Sequence, residues 1–532
     1  MQKRFARAMK TAVLAAMVLA SAALADDQVK VAEGTLRGTA TPDGAVRMFK
    51  GIPFAAPPLG NLRWKAPQPA AAWSGVREAD KFGAPCQQTD VYHDIFFRDA
   101  QPSEDCLNLD IWIPAAKPAG GKFAVLLWYY GGGFVAGGAS EKRYDGEALA
   151  RKGIIVVNAS YRLGVFGFLA HPELSKESGH NSSGNYGLLD QVAALQWVAK
   201  NIAAFGGDPE KITIGGESAG SFSVSALMAS PLSRKLIHGA LGESGAFFHS
   251  PTNPGPLQVL PLHEAEAHGA KFAESIGAHS LADLRAKPAD ELLQAASKPG
   301  EGFRPILDGY YFPATVQEIF AAGQQSQVPL LAGWNADEVK MFILMAPQKP
   351  TAKSFAEQAE KRFGARAPAF LKLYPAATDA EALTSAEDLA SDDFISFSTW
   401  KWIEMQRKTG NAPVYHYRFE QVPATKPGEM LGNIPASEAG SRHACEIEYV
   451  FGTLKLAHPD TPWTAGDFKV SEEMTSYWAN FVKTGNPNGK GLPQWPNSEA
   501  KNGYQVMHLN GAGSAAKPDA LRARYEFLDQ TN

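Results

Sequence analysis

Apolar runs and helical periodicities alternate along the chain. Phe123 to Tyr130, Gly153 to Asn158, Lys211 to Gly215, Gly239 to Gly242, Val328 to Gly333 and Val414 to Phe419 are short runs with little polar alternation. Such runs predict strands covered on both faces, as in a parallel α/β sheet. Between them, Leu188, Leu189, Val192, Leu195, Val198 and Ile202 recur at helical spacing. They predict an amphipathic helix that ends near Phe205-Gly206-Gly207. Val29 to Phe54 reads as short antiparallel strands with glycine turns. Residues of about 250–325 and 346–410 lose the strand pattern and are richer in Ala, Glu, Lys and Pro. They are expected to be helical insertions that wall a site, not independent domains.

The N-terminus breaks from this pattern. Lys3, Arg4, Arg7 and Lys10 precede an apolar run from Thr11 to Ala22, and Ala23-Leu24-Ala25 offers small residues before Asp26. This predicts an export signal over 1–25, cleaved near Ala25, and a periplasmic or extracellular chain. An uncleaved anchor is the weaker alternative, because the run is too short to span a bilayer. The 532 residues are 45% hydrophobic and 20% charged, a globular composition. A division at about 150 residues per domain would give three or four domains. The alternation of strands and helices favours a single domain over 26–532 instead. With 51 basic and 55 acidic residues, net charge −4, no basic excess exists to neutralise a phosphate backbone, so nucleic acid is not an expected partner. Cys86 and Cys106 could close a loop worth ~3 kcal/mol in an oxidising compartment. Cys445 is left over and reads as a buried thiol. No Cys/His spacing suits a metal, and neither metal nor cofactor is expected.

Gly216-Glu217-Ser218-Ala219-Gly220 matches G-x-S-x-G. The pattern alone is weak, but it follows a strand and opens an apolar helical run (Phe222, Val224, Ala226, Leu227), the context of a nucleophile on a strand-to-helix turn. Gly131-Gly132-Gly133-Phe134 follows the strand ending at Tyr130, and successive glycines leave N–H groups free to point at one oxyanion. A base and an orienting acid should follow Ser218. Seven of the twelve histidines lie beyond residue 255, so order alone selects none; His443, in a loop before an apolar segment, is a candidate. Glu338 and Asp337 compete for the acid just after the strand Val328 to Gly333, with Asp308 and Asp393 as weaker choices.

From about Val31 to Leu509 the chain resembles the type-B carboxylesterases of the α/β-hydrolase fold, a family that includes cholinesterases and para-nitrobenzyl esterases. The resemblance is carried by Phe49 to Pro58 with Leu62-Arg-Trp64, by Glu104-Asp-Cys-Leu-Asn-Leu109, and by Gly184 to Gln191 leading through Phe205-Gly-Gly-Asp-Pro209 to Gly216–Gly220. Tyr477 to Phe481 and Thr484 to Asn488 match the C-terminal block. It implies a mostly parallel central sheet flanked by helices. It also implies a triad of Ser218, Glu338 and His443, oxyanion donors Gly132, Gly133 and Ala219, and a disulfide between Cys86 and Cys106. Ser244 matches a serine that hydrogen-bonds near the acid, and Glu217 is expected beside the triad. Phe96, Phe97, Tyr130 and Phe134 are the expected pocket residues. The Cys86–Cys106 loop has no Trp, which argues against a choline ester.

The expected activity is hydrolysis of small or polymeric esters through an acyl-enzyme, with an acid limb near the ~6.5 of a free imidazole. An adhesion protein of the same fold, and an amidase or lactonase, are the alternatives; the intact triad argues against the first.

Overall fold

The computed structural model describes residues 28–530 except His93, Lys117 and Ala119; the expected export signal at 1–25 lies outside the described residues. An eleven-stranded sheet forms the centre. Its strands in chain order are β1 (Thr39–Ala40), β2 (Val46–Pro53), β3 (Asn108–Pro114), β4 (Phe123–Tyr129), β5 (Ile155–Ala159), β6 (Gly207–Glu217), β7 (Gly239–Glu243), β8 (Leu330–Asn335), β9 (Val414–Phe419), β10 (Gln505–Leu509) and β11 (Ala515–Pro518). Across the sheet they run β11-β10-β9-β8-β7-β6-β4-β5-β3-β2-β1. The block from β5 to β10 is parallel. β3, β2 and β1 extend one edge antiparallel, and β11 closes the other in the same way. This is the α/β-hydrolase arrangement expected from the sequence.

Every residue of β4, β5, β7 and β8 is buried, which is the burial that uninterrupted apolar runs require. The six expected strands are all present, with β6 longer than the Lys211–Gly215 run. β3, β10 and β11 are additional to that expectation. The periodic helix is α1 (Tyr186–Asn201), and its last turn runs into Gly206 at φ 86°. The helix α2 (Ala219–Ala229) starts directly behind β6 and is buried throughout.

Both segments expected as insertions are helical. The first contains Leu262–Ser275, Leu281–Ala286, Ala289–Ala296 and Val316–Ala321. The second contains Ala352–Phe363, Ala367–Leu373, Asp379–Ser391 and Phe397–Thr409. Cys86 and Cys106 are disulfide-bonded. No described helix is long and apolar enough to cross a membrane.

Candidate active site

β6 ends at Glu217 and α2 begins at Ala219, so Ser218 alone makes the turn. Its φ of 52° and ψ of −122° lie outside the regions open to most L-residues. Such strain costs on the order of 1–3 kcal/mol and persists only where the surroundings over-determine it. Here the Ser218 N–H donates to Glu243 O at 2.8 Å and Phe222 N–H donates to Ser218 O at 2.9 Å. The crossing is also tight. A Cβ on Gly216 would lie 2.4 Å from the Gly220 carbonyl carbon, and one on Gly220 would lie 2.0 Å from Tyr129 O. The two glycines of the motif are therefore demanded by close approach of β4, β6 and α2.

Ser218, His443 and Glu338 meet although they are far apart in sequence. Ser218 Oγ lies 2.9 Å from His443 Nε2, and His443 Nδ1 lies 2.6 Å from Glu338 Oε2. Glu338 Oε1 accepts from Ser244 Oγ at 2.6 Å and from the Asn335 N–H at 2.8 Å. The three competing acids are occupied elsewhere. Asp337 Oδ2 accepts the Ser441 N–H at 2.9 Å, and the Asp337 N–H donates to Ser441 O at 3.0 Å. Asp337 thus grips the loop that carries His443. Asp308 accepts from Ser182 and the Phe312 N–H, and Asp393 pairs with Arg362.

A ring of buried carboxyls surrounds the imidazole. Glu217 Oε1 lies 3.4 Å from His443 Nε2 and accepts no hydrogen bond from the described residues. Burial pushes Glu217 well above the usual carboxylate range, with His443 pulling the other way. Glu446 accepts from Asn335 Nδ2 and has its Oε1 3.4 Å from Ser244 Oγ, and burial, reinforced by Glu338, raises it to about 7. Burial pulls His443 down, but Glu217, Glu338 and Glu446 outweigh it and lift the ring to about 9. That is above the free-imidazole value that sequence alone suggested. Cys445 is buried, takes a long contact from Asn335 Nδ2 at 3.9 Å, and has its thiol pushed up by burial.

The glycine loop after β4 folds back on itself. Val135 and Ala136 N–H groups both donate to Gly132 O, and Gly132 adopts φ 98°. No described residue accepts a hydrogen bond from the Gly132 or Gly133 N–H, and Ala219 N–H is an unpaired donor of the first turn of α2. Two side chains clamp the far end of this loop. Gln88 Oε1 accepts the Gly137 N–H at 2.8 Å while Gln88 Nε2 donates to Gly137 O and to Cys86 O, both at 2.8 Å. Glu141 Oε1 accepts the Gly138 N–H at 2.9 Å.

The four expected pocket aromatics separate. Phe96 is 67% exposed, and Phe97 packs on Gly138. Tyr130 is buried, and its ring stacks on Tyr161 at 4.4 Å while each hydroxyl donates to the other's carbonyl. It braces the strand end and does not line the cavity beside the site, a placement dictated by this reciprocal bonding. Phe134 is fully buried behind Phe247 at 6.1 Å. The cavity itself, of about 180 Å³, has Phe222, Phe247, Phe312, Phe394 and Phe397 on its apolar side and His249, Asn253, Gln258 and Gln317 among its polar lining. Phe222 follows the nucleophile, and Phe312, Phe394 and Phe397 lie in the two segments expected to wall the site, though none of the five phenylalanines was singled out as a pocket residue. Gln88 and Glu446 were also missed; their only signals are two residues' distance from Cys86 and three from His443. Among the described residues, no cluster of His, Cys, Asp and Glu is arranged to hold a metal ion.

The profile of the Carboxylesterase family matches residues 25–528. The chain is 36% identical to the fumonisin B1 esterase of Sphingopyxis macrogoltabida, over 94% of this chain and 92% of that one. It is 35% identical to carboxylesterase 5A of Canis lupus familiaris, over 91% of this chain and 84% of that one. It is 34% identical to the cocaine esterase of Homo sapiens, over 92% of this chain and 88% of that one. With a serine on a strained strand-to-helix turn and an imidazole and a carboxylate in line behind it, the chain belongs to the carboxylesterase family and is a carboxylic-ester hydrolase of the type-B kind.

Proposed function

We propose that this enzyme hydrolyses carboxylic esters through an acyl-enzyme on Ser218, as one catalytic unit over residues 26–532, exported after removal of residues 1–25. The observation that carries the reading is the unbroken chain from Ser218 Oγ through His443 to Glu338, with links of 2.9 and 2.6 Å. The Ser218 hydroxyl donates to His443 Nε2, so the neutral imidazole takes that proton as Oγ attacks the ester carbonyl. Glu338 holds the Nδ1–H tautomer and stabilises the imidazolium that forms. Gly132, Gly133 and Ala219 N–H groups then face the tetrahedral oxyanion, each donor contributing ~2.7–4 kcal/mol. His443 returns the proton to the leaving alcohol, and water repeats the sequence to free the acid. Ser244 and Glu217 act around the triad: the first fixes Glu338, the second lies against the working nitrogen of His443.

A ring-free alkyl phosphonate tests the nucleophile. Stoichiometric labelling of Ser218, with ester turnover lost in parallel, is the expected result. Label on another residue, or full turnover by Ser218→Ala, overturns the reading. Export is tested separately by N-terminal sequencing of the secreted chain, with Asp26 expected first.

A further inference from the structure

We infer that the Tyr92 hydroxyl, beside Gly133 of the glycine turn, hydrogen-bonds an oxygen that the substrate carries next to its ester group, and so selects for esters bearing one. This rests on the esterase reading and names a feature of its substrate class.

The placement comes from the glycine turn. A Cβ on Gly133 would lie 3.1 Å from the Tyr92 hydroxyl oxygen. With no side chain at Gly133, that hydroxyl stands against the turn whose N–H groups face the oxyanion. Three other tyrosines lie about the same turn, and each hydroxyl is engaged. Tyr130 and Tyr161 donate to each other's carbonyl, and Tyr144 Oη accepts the Gly131 N–H at 3.5 Å. The Tyr92 hydroxyl has no hydrogen-bond partner among the described residues. Tyr92 is 43% exposed, so a substrate can reach it.

The chain around Tyr92 is tied to the turn. The Ile95 N–H donates to Tyr92 O at 3.3 Å and closes a bend. Arg143 Nη2 donates to Asp94 O at 2.9 Å, and Arg143 Nε pairs with Glu141 Oε2 at 2.8 Å. Glu141 also accepts the Gly138 N–H. Further along, Arg98 donates to Ser140 O at 2.8 Å and to Glu141 O at 3.2 Å. The hydroxyl is a protonated donor throughout the working range of the enzyme. Burial pushes it above the usual phenol range, Arg304 pulls it back, and Asp94 and Glu217 add to the rise. Glu217 is the carboxyl that lies against His443, so its action on Tyr92 accords with a hydroxyl on the triad's side of the turn.

The donor count decides what Tyr92 binds. A tetrahedral oxyanion offers three lone pairs, and the Gly132, Gly133 and Ala219 N–H groups suffice to take them. A further donor beside Gly133 therefore serves a neighbouring atom, in the acyl or the alcohol chain. A methylene at that place leaves the hydroxyl unsatisfied once water is expelled, and an ether, hydroxyl or carbonyl oxygen satisfies it.

The test uses pairs of esters that differ by one oxygen in place of one methylene. Ethyl methoxyacetate against ethyl butanoate makes the exchange in the acyl chain. Methoxyethyl acetate against butyl acetate makes it in the alcohol chain. For each pair the oxygen-to-methylene ratio of kcat/KM is measured in the parent and in Tyr92→Phe. Comparing the two enzymes cancels the intrinsic reactivity of the ether esters. The ratio should fall about fivefold in the variant for one pair, which assigns the oxygen to the acyl or the alcohol half. The methylene esters should be hydrolysed at least as well as by the parent. Tyr92→Leu also lacks the hydroxyl and should shift the same ratio, which keeps the test open if the phenylalanine variant is unstable. A ratio unchanged in both pairs overturns the proposal. An equal loss for all the esters overturns it too, because the hydroxyl would then act on the turn and not on the substrate. A parent that hydrolyses none of them and leaves Ser218 unlabelled by an alkyl phosphonate would instead sink the esterase reading.

Discussion

The strand ends and the loop that carry Ser218, Glu338 and His443 and the insertions that wall the cavity are built on opposite principles. At the strand ends the contacts are directional hydrogen bonds: Glu338 alone takes them from Ser244, Asn335 and His443. At the cavity the contacts are ring against ring, as in Phe222 with Phe247 and Phe247 with Phe312. Hydrogen bonds in a buried network are directional, and losing one strands its partner. Aromatic packing is graded, and a wall can be trimmed or filled in steps of a few carbon atoms. The first region should therefore respond to substitution by loss of chemistry for every substrate. The second should respond by a change of substrate preference.

The largest effect expected is at the base. His443→Ala should lower kcat by about 10⁶-fold for ring-bearing and linear esters alike, measured by steady-state kinetics. An unequal loss would blur the division between the two regions. Glu338→Gln follows, with a fall of about 10⁴-fold, because the amide favours the wrong imidazole tautomer. KM should stay near its starting value in that variant. If Asp337→Asn produced the larger defect, the roles of the neighbouring acids would be reversed.

Gln88→Ala probes the border between the regions. It removes two hydrogen bonds that join the disulfide loop to Gly137 of the glycine turn, and a third within the disulfide loop, but touches neither Ser218 nor the cavity. A small displacement of the Gly132 and Gly133 donors should lower kcat by up to ~10²-fold. A trifluoromethyl ketone, which forms the tetrahedral oxyanion, should lose affinity to the same extent while KM holds. Gln88→Glu keeps the acceptor for Gly137 N–H and loses the two donors, so it should fall between. An effect on KM that varied with the ester would place Gln88 with the cavity instead.

What the sequence made legible divides along the same line. Parallel strands buried on both faces cannot alternate, so β4, β5, β7 and β8 stand out as apolar runs. β3 hides, because its fully buried run contains Asn108, which donates to Ala84 O, and Asp110, whose Oδ1 accepts the Gly51 N–H. The serine and glycine motifs are legible because close backbone approach excludes other residues at fixed spacing. Glu338 and Asp337 are adjacent on one loop, and no spacing rule distinguishes which carboxylate turns inward; the resemblance did that. Phe394 was beyond reach for a different reason. A π-turn shifts the helical phase, so periodicity misplaces the side chain that reaches His443.

The smallest predicted effect concerns pH, and it sharpens the picture of the polar region. Only neutral His443 can accept the serine proton, and the surrounding carboxyls lift it to about 9. The acid limb of kcat/KM should therefore lie above the ~6.5 of a free imidazole. Glu446 is one cause of that lift and is itself raised to about 7 by burial, then by Glu338. Above that pH it carries charge and holds the imidazolium more firmly. Glu446→Gln removes this charge while keeping an acceptor for Asn335, so the limb should move toward lower pH. Stability shifts in the matching sense. A histidine raised in the folded state stabilises the fold fully below its unfolded value, and that contribution fades as pH rises through about 9. Thermal unfolding from pH 8 to pH 10, above the titration of Glu446 itself, should show a shallower decline in Glu446→Gln than in the parent. A limb that stays put, with an unchanged slope of stability, would mean that Glu446 does not act on His443 and that Glu338 and Glu217 supply the whole field.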